Sequence, residues 1–207
     1  MTAAVTIGTS AVCTIGMHRI AQGDVQLGAV ADVMGIDRAT VVYSDPPWGE
    51  GNLRYWRTAA GDPQRPRWGD FRGQWCASVA AAIEPGASVF VEMGERWAED
   101  FAANLAAVGI VVTRRWTVQY GHPSRPNVLL YAGPLLLADF DPSALNGPAL
   151  PRACVAAVAR PGGIVLDPCC GKGYTARAAV AAGMHFRGVE LNAKRLDVTM
   201  EWLRRHG

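Results

Sequence analysis

The apolar and polar positions along the 207 residues alternate in a way that predicts strands and helices in turn. Short apolar runs predict buried strands at "MHRIAQGD", "TVVYSD", "GASVFVEM", "IVLD" and "FRGVE". Segments with helical spacing, most of them rich in alanine, predict helices at "LGAVADVMG", "WCASVAAAIE", "RACVAAVA", "YTARAAVAAG" and "AKRLDVTMEWLRR". This order is typical of βαβ units, in which helices cover both faces of a mostly parallel sheet.

The middle of the chain adds a further helix and a hairpin to this α/β prediction. One face of the helix predicted at "RWAEDFAANLAAVG" carries Trp97, Phe101, Leu105 and Val108. The strands "IVVTRRWTVQY" and "VLLYAGPLLLA", joined by the turn "GHPSRPN", predict an antiparallel hairpin at one edge of the sheet. By contrast, residues 49–74 are predicted to be a long irregular segment crowded with Arg, Trp, Gly and Pro.

Composition narrows the class of protein only slightly. Half of the residues are hydrophobic, 18% are charged and the net charge is +2, as in an ordinary globular protein. All of the basic residues except Lys172 and Lys194 are arginine. Arginine suits phosphate contacts and base stacking, although a GC-rich genome produces the same bias. Five cysteines without a C-x-x-C pair favour reduced thiols in a cytoplasm and no metal site, and no apolar run is long enough to predict a membrane span.

A glycine loop near the C-terminus indicates a ligand site. "LDPCCGKG" places Asp167 at the end of an apolar strand and Gly171 and Gly173 before a helix, where glycines let the backbone approach a ligand. The next strand ends at Glu190, the position at which α/β nucleotide sites hold ribose hydroxyls. Together these features favour a nucleoside-bearing cofactor, whereas G-x-G alone also fits a structural turn. NAD stays open, because Ala176 is an allowed variant of the third glycine.

A second motif, "DPPW", follows another predicted strand. Asp45 ends "TVVYSD", which places it at the carboxyl edge of the sheet. Pro46 and Pro47 restrict the backbone, so that the Asp45 carboxylate and the Pro46 carbonyl can each accept a hydrogen from one NH2 group, and Trp48 offers a flat face to its ring. Such acceptors draw the nitrogen lone pair toward an electrophile. The alternative interpretation is a proline-rich turn with a packing tryptophan.

The combination of D-P-P-W, D-x-x-x-G-x-G and a strand-terminal Glu resembles the amino-methyltransferases that use S-adenosylmethionine to methylate the exocyclic amine of adenine or cytosine. Because the catalytic motif comes first, the chain is similar to the permuted beta group of DNA methyltransferases from about residue 17 to the C-terminus. The resemblance implies a single Rossmann-like domain over residues 1–207, with a mostly parallel seven-stranded sheet. The catalytic half would span about 17–137 and the cofactor half about 150–207.

The resemblance also implies roles for individual residues. The implied catalytic residues are Asp45, Pro46, Pro47 and Trp48. The implied cofactor-binding residues are Asp24, Asp45, Asp167, Pro168, Cys169, Gly171, Gly173, Glu190, Leu191 and Asn192. Asp24 is included because "IAQGD" looks like the opening strand of the group, where it would contact the adenine of the cofactor. The expected activity is methylation of adenine N6 in DNA.

Two departures from the family pattern keep alternatives open. The connector at about 133–150 is too short for a separate target-recognition domain, so we expect sequence specificity to be low or supplied by a partner protein or a homodimer. Trp48 replaces the commoner tyrosine, and this tryptophan makes the motif similar to that of the RNA adenosine methyltransferases. The alternatives are methylation of RNA adenosine N6 or DNA cytosine N4, a non-catalytic nucleic-acid-binding subunit, and an NAD-linked oxidoreductase that would leave D-P-P-W unexplained.

Arginines and aromatic residues are interleaved after the D-P-P-W motif and predict a nucleic-acid-binding surface. The candidates are Arg54, Trp56, Arg57, Arg65, Arg67, Trp68 and Arg72, with His122 and Arg125 from the hairpin turn. A loop that docks on its own domain could use the same residues.

Overall fold

The computed structural model describes residues 10–119, 127–134 and 139–207, in which eight strands and seven α-helices are formed. The strands are β1 (Ala11–Ile15), β2 (His18–Gln22), β3 (Ala39–Ser44), β4 (Ile83–Gly94), β5 (Arg114–Val118), β6 (Asn127–Ala132), β7 (Ile164–Asp167) and β8 (His185–Glu190). The helices are α1 (Ala29–Met34), α2 (Gly49–Ala59), α3 (Trp68–Ala82), α4 (Ala98–Ala107), α5 (Ala149–Ala157), α6 (Tyr174–Ala181) and α7 (Ala193–His206).

The described strands form one sheet in the order β1-β2-β8-β7-β3-β4-β6-β5. Strands β2, β8, β7, β3 and β4 are parallel neighbours, whereas β1 pairs antiparallel with β2, and β6 pairs antiparallel with both β4 and β5. The predicted α/β fold and the edge hairpin β5–β6 are confirmed. Parallel strands end at the same edge, so the residues that follow β2, β3, β7 and β8 meet there.

Helices pack on both faces of the sheet because adjacent strand residues point in opposite directions. Val42 and Val91 belong to one core, formed with α1, α3 and α4. Val41 and Phe90 belong to the other, formed with α5, α6 and α7. In α4, the predicted apolar face is buried through Phe101 and Leu105, with Trp97 and Val108 partly buried against the same core. No helix in the ranges described is long and apolar enough to span a membrane.

Two sequence predictions were wrong in detail. The sheet has eight strands rather than seven, because the segment AVCTI, which the sequence prediction assigns to no element, forms the edge strand β1 by backbone pairing with β2 while its side chains stay largely exposed. The predicted irregular segment 49–74 contains α2 and the first half of α3, and only residues 60–67 connect them. Trp68, Phe71 and Trp75 have helical spacing and are buried in α3, so these rings form a helix face rather than a loop.

Candidate functional site

The acidic residues predicted from the two motifs meet at the carboxyl edge of the sheet. Asp24 follows β2, Asp45 follows β3, Asp167 ends β7 and Glu190 ends β8. One cavity at this edge is lined by Pro47, a predicted catalytic residue, and by six of the predicted cofactor-binding residues, namely Asp24, Asp45, Pro168, Cys169, Glu190 and Leu191. A second cavity shares Asp45 and Cys169 with the first and continues to Asp167 and Gly171.

Hydrogen bonds to Glu190 connect the glycine loop to the end of β8. Its Oε2 accepts a hydrogen bond from the Gly171 backbone N–H at 2.8 Å, and its Oε1 accepts one from the Asn192 N–H at 2.8 Å. Gly171 and Gly173 have φ angles of 53° and 79°, which favour glycine. Gly173 packs closely against α7, because a Cβ at this position would lie 2.7 Å from Thr199 Oγ1. Glu190 and Gly171 therefore line the cavities while Gly173 shapes the turn.

Asp167 joins the glycine loop to the neighbouring strand β3. Its buried carboxylate accepts hydrogen bonds from Ser44 Oγ at 2.8 Å, Thr175 Oγ1 at 2.6 Å and the Cys169 N–H at 3.0 Å. Burial raises the pKa of Asp167 to about 6, and these hydrogen bonds partly oppose the rise. This aspartate thus links the two motifs, which are far apart along the chain.

The raised pKa of Asp167 predicts a dependence of stability on pH. The folded-state pKa lies above the unfolded value, so the folded protein binds the proton more readily, and stability falls as the pH rises from about 4 through about 6. We expect the free energy of unfolding to decrease by about 1 kcal/mol between pH 5 and pH 7 from this group. Thermal unfolding of the native chain and of Asp167→Asn measures it. The variant should show the smaller decrease, and equal decreases would contradict the assignment.

Asp45 is held by the tryptophan of its own motif. Trp48 Nε1 donates a hydrogen bond to Asp45 Oδ1 at 2.8 Å, and the Trp48 backbone N–H donates to Asn52 Oδ1 at 3.2 Å. Asp45 Oδ2 has no hydrogen-bond partner in the ranges that the structure describes. Desolvation, followed by the nearby Glu92, raises the pKa of Asp45 well above its usual value. One carboxylate oxygen is therefore fixed in place while the other can accept a hydrogen bond.

Glu92 is a site residue that the sequence prediction missed. It lies on β4, is 6% exposed and lines the second cavity beside Asp45. It accepts hydrogen bonds from Tyr43 Oη at 2.8 Å and Asn127 Nδ2 at 3.3 Å, and burial raises its pKa. The signal that could have identified it is a lone acidic residue in the apolar run "SVFVEM", since buried carboxylates are rare without partners.

Other predicted site residues have structural surroundings. Asn192 caps α7 by accepting a hydrogen bond from the Arg195 N–H at 3.2 Å, and its Nδ2 donates to the Ala59 carbonyl. Pro46 and Trp48 line neither of the two cavities described here. Asp24 lines the first cavity, but its Oδ1 accepts from the Gln26 N–H at 2.9 Å and its Oδ2 pairs with Arg57.

The predicted nucleic-acid-binding residues divide into exposed and buried groups. Arg54, Arg65 and Arg67 are exposed on α2 and the loop that follows it. Trp68 is only 6% exposed, because it stacks on Phe71 inside the core. This position disagrees with the predicted stacking on a base.

Of the remaining members of this predicted surface, those that the structure describes also have partners within the protein or line the first cavity. Arg57 is 2% exposed, because Asp24 and Asp62 pair with its guanidinium, so it is not available to a phosphate. Arg72 pairs with Asp100 at 2.9 Å on α4. Trp56 lines the first cavity. His122 and Arg125 lie outside the described residues.

Comparison with known proteins agrees with this geometry. The fold is that of solved α/β methyltransferases, and the strand-terminal acids lie at the carboxyl edge of its sheet. A family model described as "DNA methylase" matches residues 143–201, which include the glycine loop and Glu190. No curated protein matches the chain.

Three of the solved structures that share the fold show the extent of the likeness. M1.HpyAVI in complex with SAM is 16% identical with a TM-score of 0.67, over 88% of this chain and 97% of that one. TTHA0409 from Thermus thermophilus, complexed with S-adenosyl-L-methionine, is 17% identical with a TM-score of 0.64, over 91% and 94%. The PvuII DNA methyltransferase, described as cytosine-N4-specific, is 12% identical with a TM-score of 0.65, over 95% and 87%. At these identities the likeness establishes the fold.

Proposed function

We propose that the protein is an S-adenosylmethionine-dependent DNA methyltransferase that acts on the exocyclic N6 amine of adenine. The observation that carries this proposal is the Asp45 carboxylate, whose Oδ1 is fixed by Trp48 while its Oδ2 is open for a further hydrogen bond. Asp45 lines both cavities, beside Glu190 in the first and Asp167 in the second. A group that holds an amine is thus next to the residues of a nucleoside site.

The residues of the first cavity fit a nucleoside cofactor. Glu190 supplies carboxylate acceptors for ribose hydroxyls, and Val25, Leu53, Pro168 and Leu191 supply apolar walls for a purine ring. Two solved neighbours, M1.HpyAVI and TTHA0409, are complexes with S-adenosylmethionine, which supports the same cofactor here. When bound, S-adenosylmethionine supplies an electrophilic methyl group on a sulfonium.

The catalytic role of the chain is to orient the target amine and to accept its proton. The amine hydrogens are accepted by Asp45 Oδ2 and the Pro46 carbonyl, which directs the nitrogen lone pair toward the methyl group. After methyl transfer the nitrogen is cationic and acidic, so a strong base is not required. Burial and Glu92 raise the pKa of Asp45, which makes this carboxylate a better proton acceptor.

The target base would stack on Trp48 after leaving a duplex. Asp at the first motif position favours adenine, because related cytosine enzymes more often carry Ser there. The cytosine-N4-specific PvuII enzyme shares the fold, so cytosine N4 is the second candidate, followed by adenosine in RNA. The exposed Arg54, Arg65 and Arg67 follow the motif directly and are proposed to contact the nucleic-acid backbone.

Sequence specificity is proposed to be low or to come from a partner protein or a second copy of the chain. The catalytic half (about 17–137) and the cofactor half (about 150–207) would form one domain. The connector between them is too short for a recognition domain, because β6 ends at Ala132 and α5 already begins at Ala149.

Analysis of labelled nucleosides tests the proposed function. The protein is incubated with methyl-labelled S-adenosylmethionine and with unmodified DNA or RNA, and each nucleic acid is digested to nucleosides. We expect label in N6-methyladenine from DNA, and DNA already carrying N6-methyladenine throughout should accept none. Label in N4-methylcytosine or only in RNA would establish one of the alternatives. The absence of label from every nucleoside would contradict a methyltransferase acting alone.

A further inference from the structure

Arg195 lies between the two cavities of the candidate site, although no sequence motif includes it. It belongs to the first turn of α7. Its side chain lines the first cavity beside Glu190 and the second beside Asp167, and Asp45 is common to both. A ligand that extends from the Glu190 side to the Asp167 side would therefore occupy two cavities whose walls both include Arg195.

The guanidinium of Arg195 is held between α2 and the glycine loop. Its Cζ lies 4.2 Å from the centroid of the Trp56 ring, which is close for a cation–π contact. On the loop side it lies against Gly171, where an added Cβ would be 2.6 Å from Arg195 Nη2. Gly171 has a φ of 53°, so both its backbone conformation and this close approach favour glycine.

Arg195 contributes a positive charge to the site and has no ion pair among the described residues. In the part of the chain that the structure describes, no carboxylate oxygen lies within 4.0 Å of its guanidinium, and its Nε is buried without a hydrogen-bond partner. The charge still acts on the site, because it favours the ionised form of Asp45 and thereby opposes the rise in the pKa of that residue. An unpaired cation in a cavity wall repels a second cation that enters the cavity.

We propose that Arg195 determines specificity between cofactor and product, by weakening the binding of the positively charged cofactor relative to its neutral product. This inference rests on the proposed function. S-adenosylmethionine carries a sulfonium, whereas S-adenosylhomocysteine, the product of methyl transfer, lacks both the methyl group and that charge. A like charge in the wall of a partly exposed cavity changes the affinity for a cationic ligand by about tenfold. Arg195 thus makes the enzyme sensitive to the ratio of product to cofactor.

Calorimetric titration of ligand binding tests this role without relying on activity. The dissociation constants of S-adenosylmethionine and S-adenosylhomocysteine are measured for the native chain and for Arg195→Met, Arg195→Lys and Arg204→Met. Arg204 is an exposed arginine on the same helix and serves as the matched control. We expect Arg195→Met to tighten cofactor binding relative to product binding by about tenfold. Arg195→Lys and Arg204→Met should keep the native ratio within about twofold.

A third ligand distinguishes the effect of the positive charge on binding from the effect of the size of the methyl group. Sinefungin, an analogue with an amine in place of the sulfonium, is cationic and should follow S-adenosylmethionine in every variant. Thermal unfolding checks that each variant is folded, and Arg195→Gln provides a second neutral substitution if Arg195→Met is unstable.

The outcomes distinguish failure of this inference from failure of the proposed function. An unchanged ratio in the neutral variants would overturn the role of Arg195. An equal loss of affinity for both ligands would also overturn it, because Arg195 would then bind a group that both ligands contain. If the native chain binds neither ligand, the proposed function is refuted and the role of Arg195 with it.

Discussion

Asp45→Asn is expected to lower the rate of methyl transfer by about 100-fold to 1,000-fold, the usual cost of losing one aligned polar contact at a reacting group. The Trp48 indole N–H is a donor, so the asparagine must turn its oxygen toward Trp48 to accept this hydrogen bond. Its NH2 group then takes the open position of Oδ2 and presents hydrogens to an amine that needs an acceptor. Single-turnover transfer of labelled methyl to DNA measures the loss.

The control for Asp45→Asn is Asp141→Asn, which removes an exposed carboxylate from the connector before α5 and should leave the rate unchanged. Thermal unfolding should show no loss of stability in Asp45→Asn, because burial already disfavours the charged form of Asp45. A rate close to that of the native chain in Asp45→Asn would refute the catalytic role of this residue.

Arg57→Met is expected to lower the free energy of unfolding by about 3 kcal/mol, because it leaves a buried carboxylate without its counter-charge. Arg57 Nη2 lies 2.7 Å from Asp24 Oδ2, and the two side chains are 2% and 7% exposed. A second pair with Asp62 joins the end of α2 to the loop that follows it. Chemical denaturation of the native and variant chains measures the difference.

Arg54→Met is the matched control for Arg57→Met, because it changes an exposed arginine three residues earlier in α2. Its effect on stability should stay within about 0.5 kcal/mol. DNA binding is measured in parallel. We expect Arg54→Met to lower the affinity for DNA, because the substitution removes a phosphate contact. If Arg57→Met kept its stability but lost DNA affinity, the sequence prediction of a phosphate contact at Arg57 would be right after all.

The parts of the fold that were predictable from sequence are those with a local signal. Buried parallel strands such as β3 and β7 are continuous apolar runs, and a glycine loop between strand and helix marks the turn. The edge strand β1 is also apolar in sequence, but its side chains are largely exposed, and its place in the sheet depends on pairing with β2, which no local pattern shows. The segment 49–74 was mistaken for a loop because its prolines and glycines masked the helical spacing of the aromatic residues in α3.

For the candidate site, the strand-terminal acids were predictable because the carboxyl ends of parallel strands share an edge. Arg195 was not, because tertiary contacts alone define its surroundings, and the local signal at Glu92, a lone acid in an apolar run, does not show which residues surround it. Glu92 meets Asn127 across the pairing of β4 with β6, and Arg195 meets Trp56 from a distant helix. The same reason explains Arg57, whose sequence neighbours suit a surface arginine while its ion pair with Asp24 buries it.

The hydrogen bond between Ser44 and Asp167 also has a consequence for the order of folding. It joins groups 123 positions apart, and β3 gains its second neighbour only when β7 pairs with it. During synthesis, Asp45 therefore emerges long before the strand that supports it. We expect the ligand edge to form late, after β7 and β8 have left the ribosome, so that a nascent chain cannot bind cofactor before these strands join the sheet.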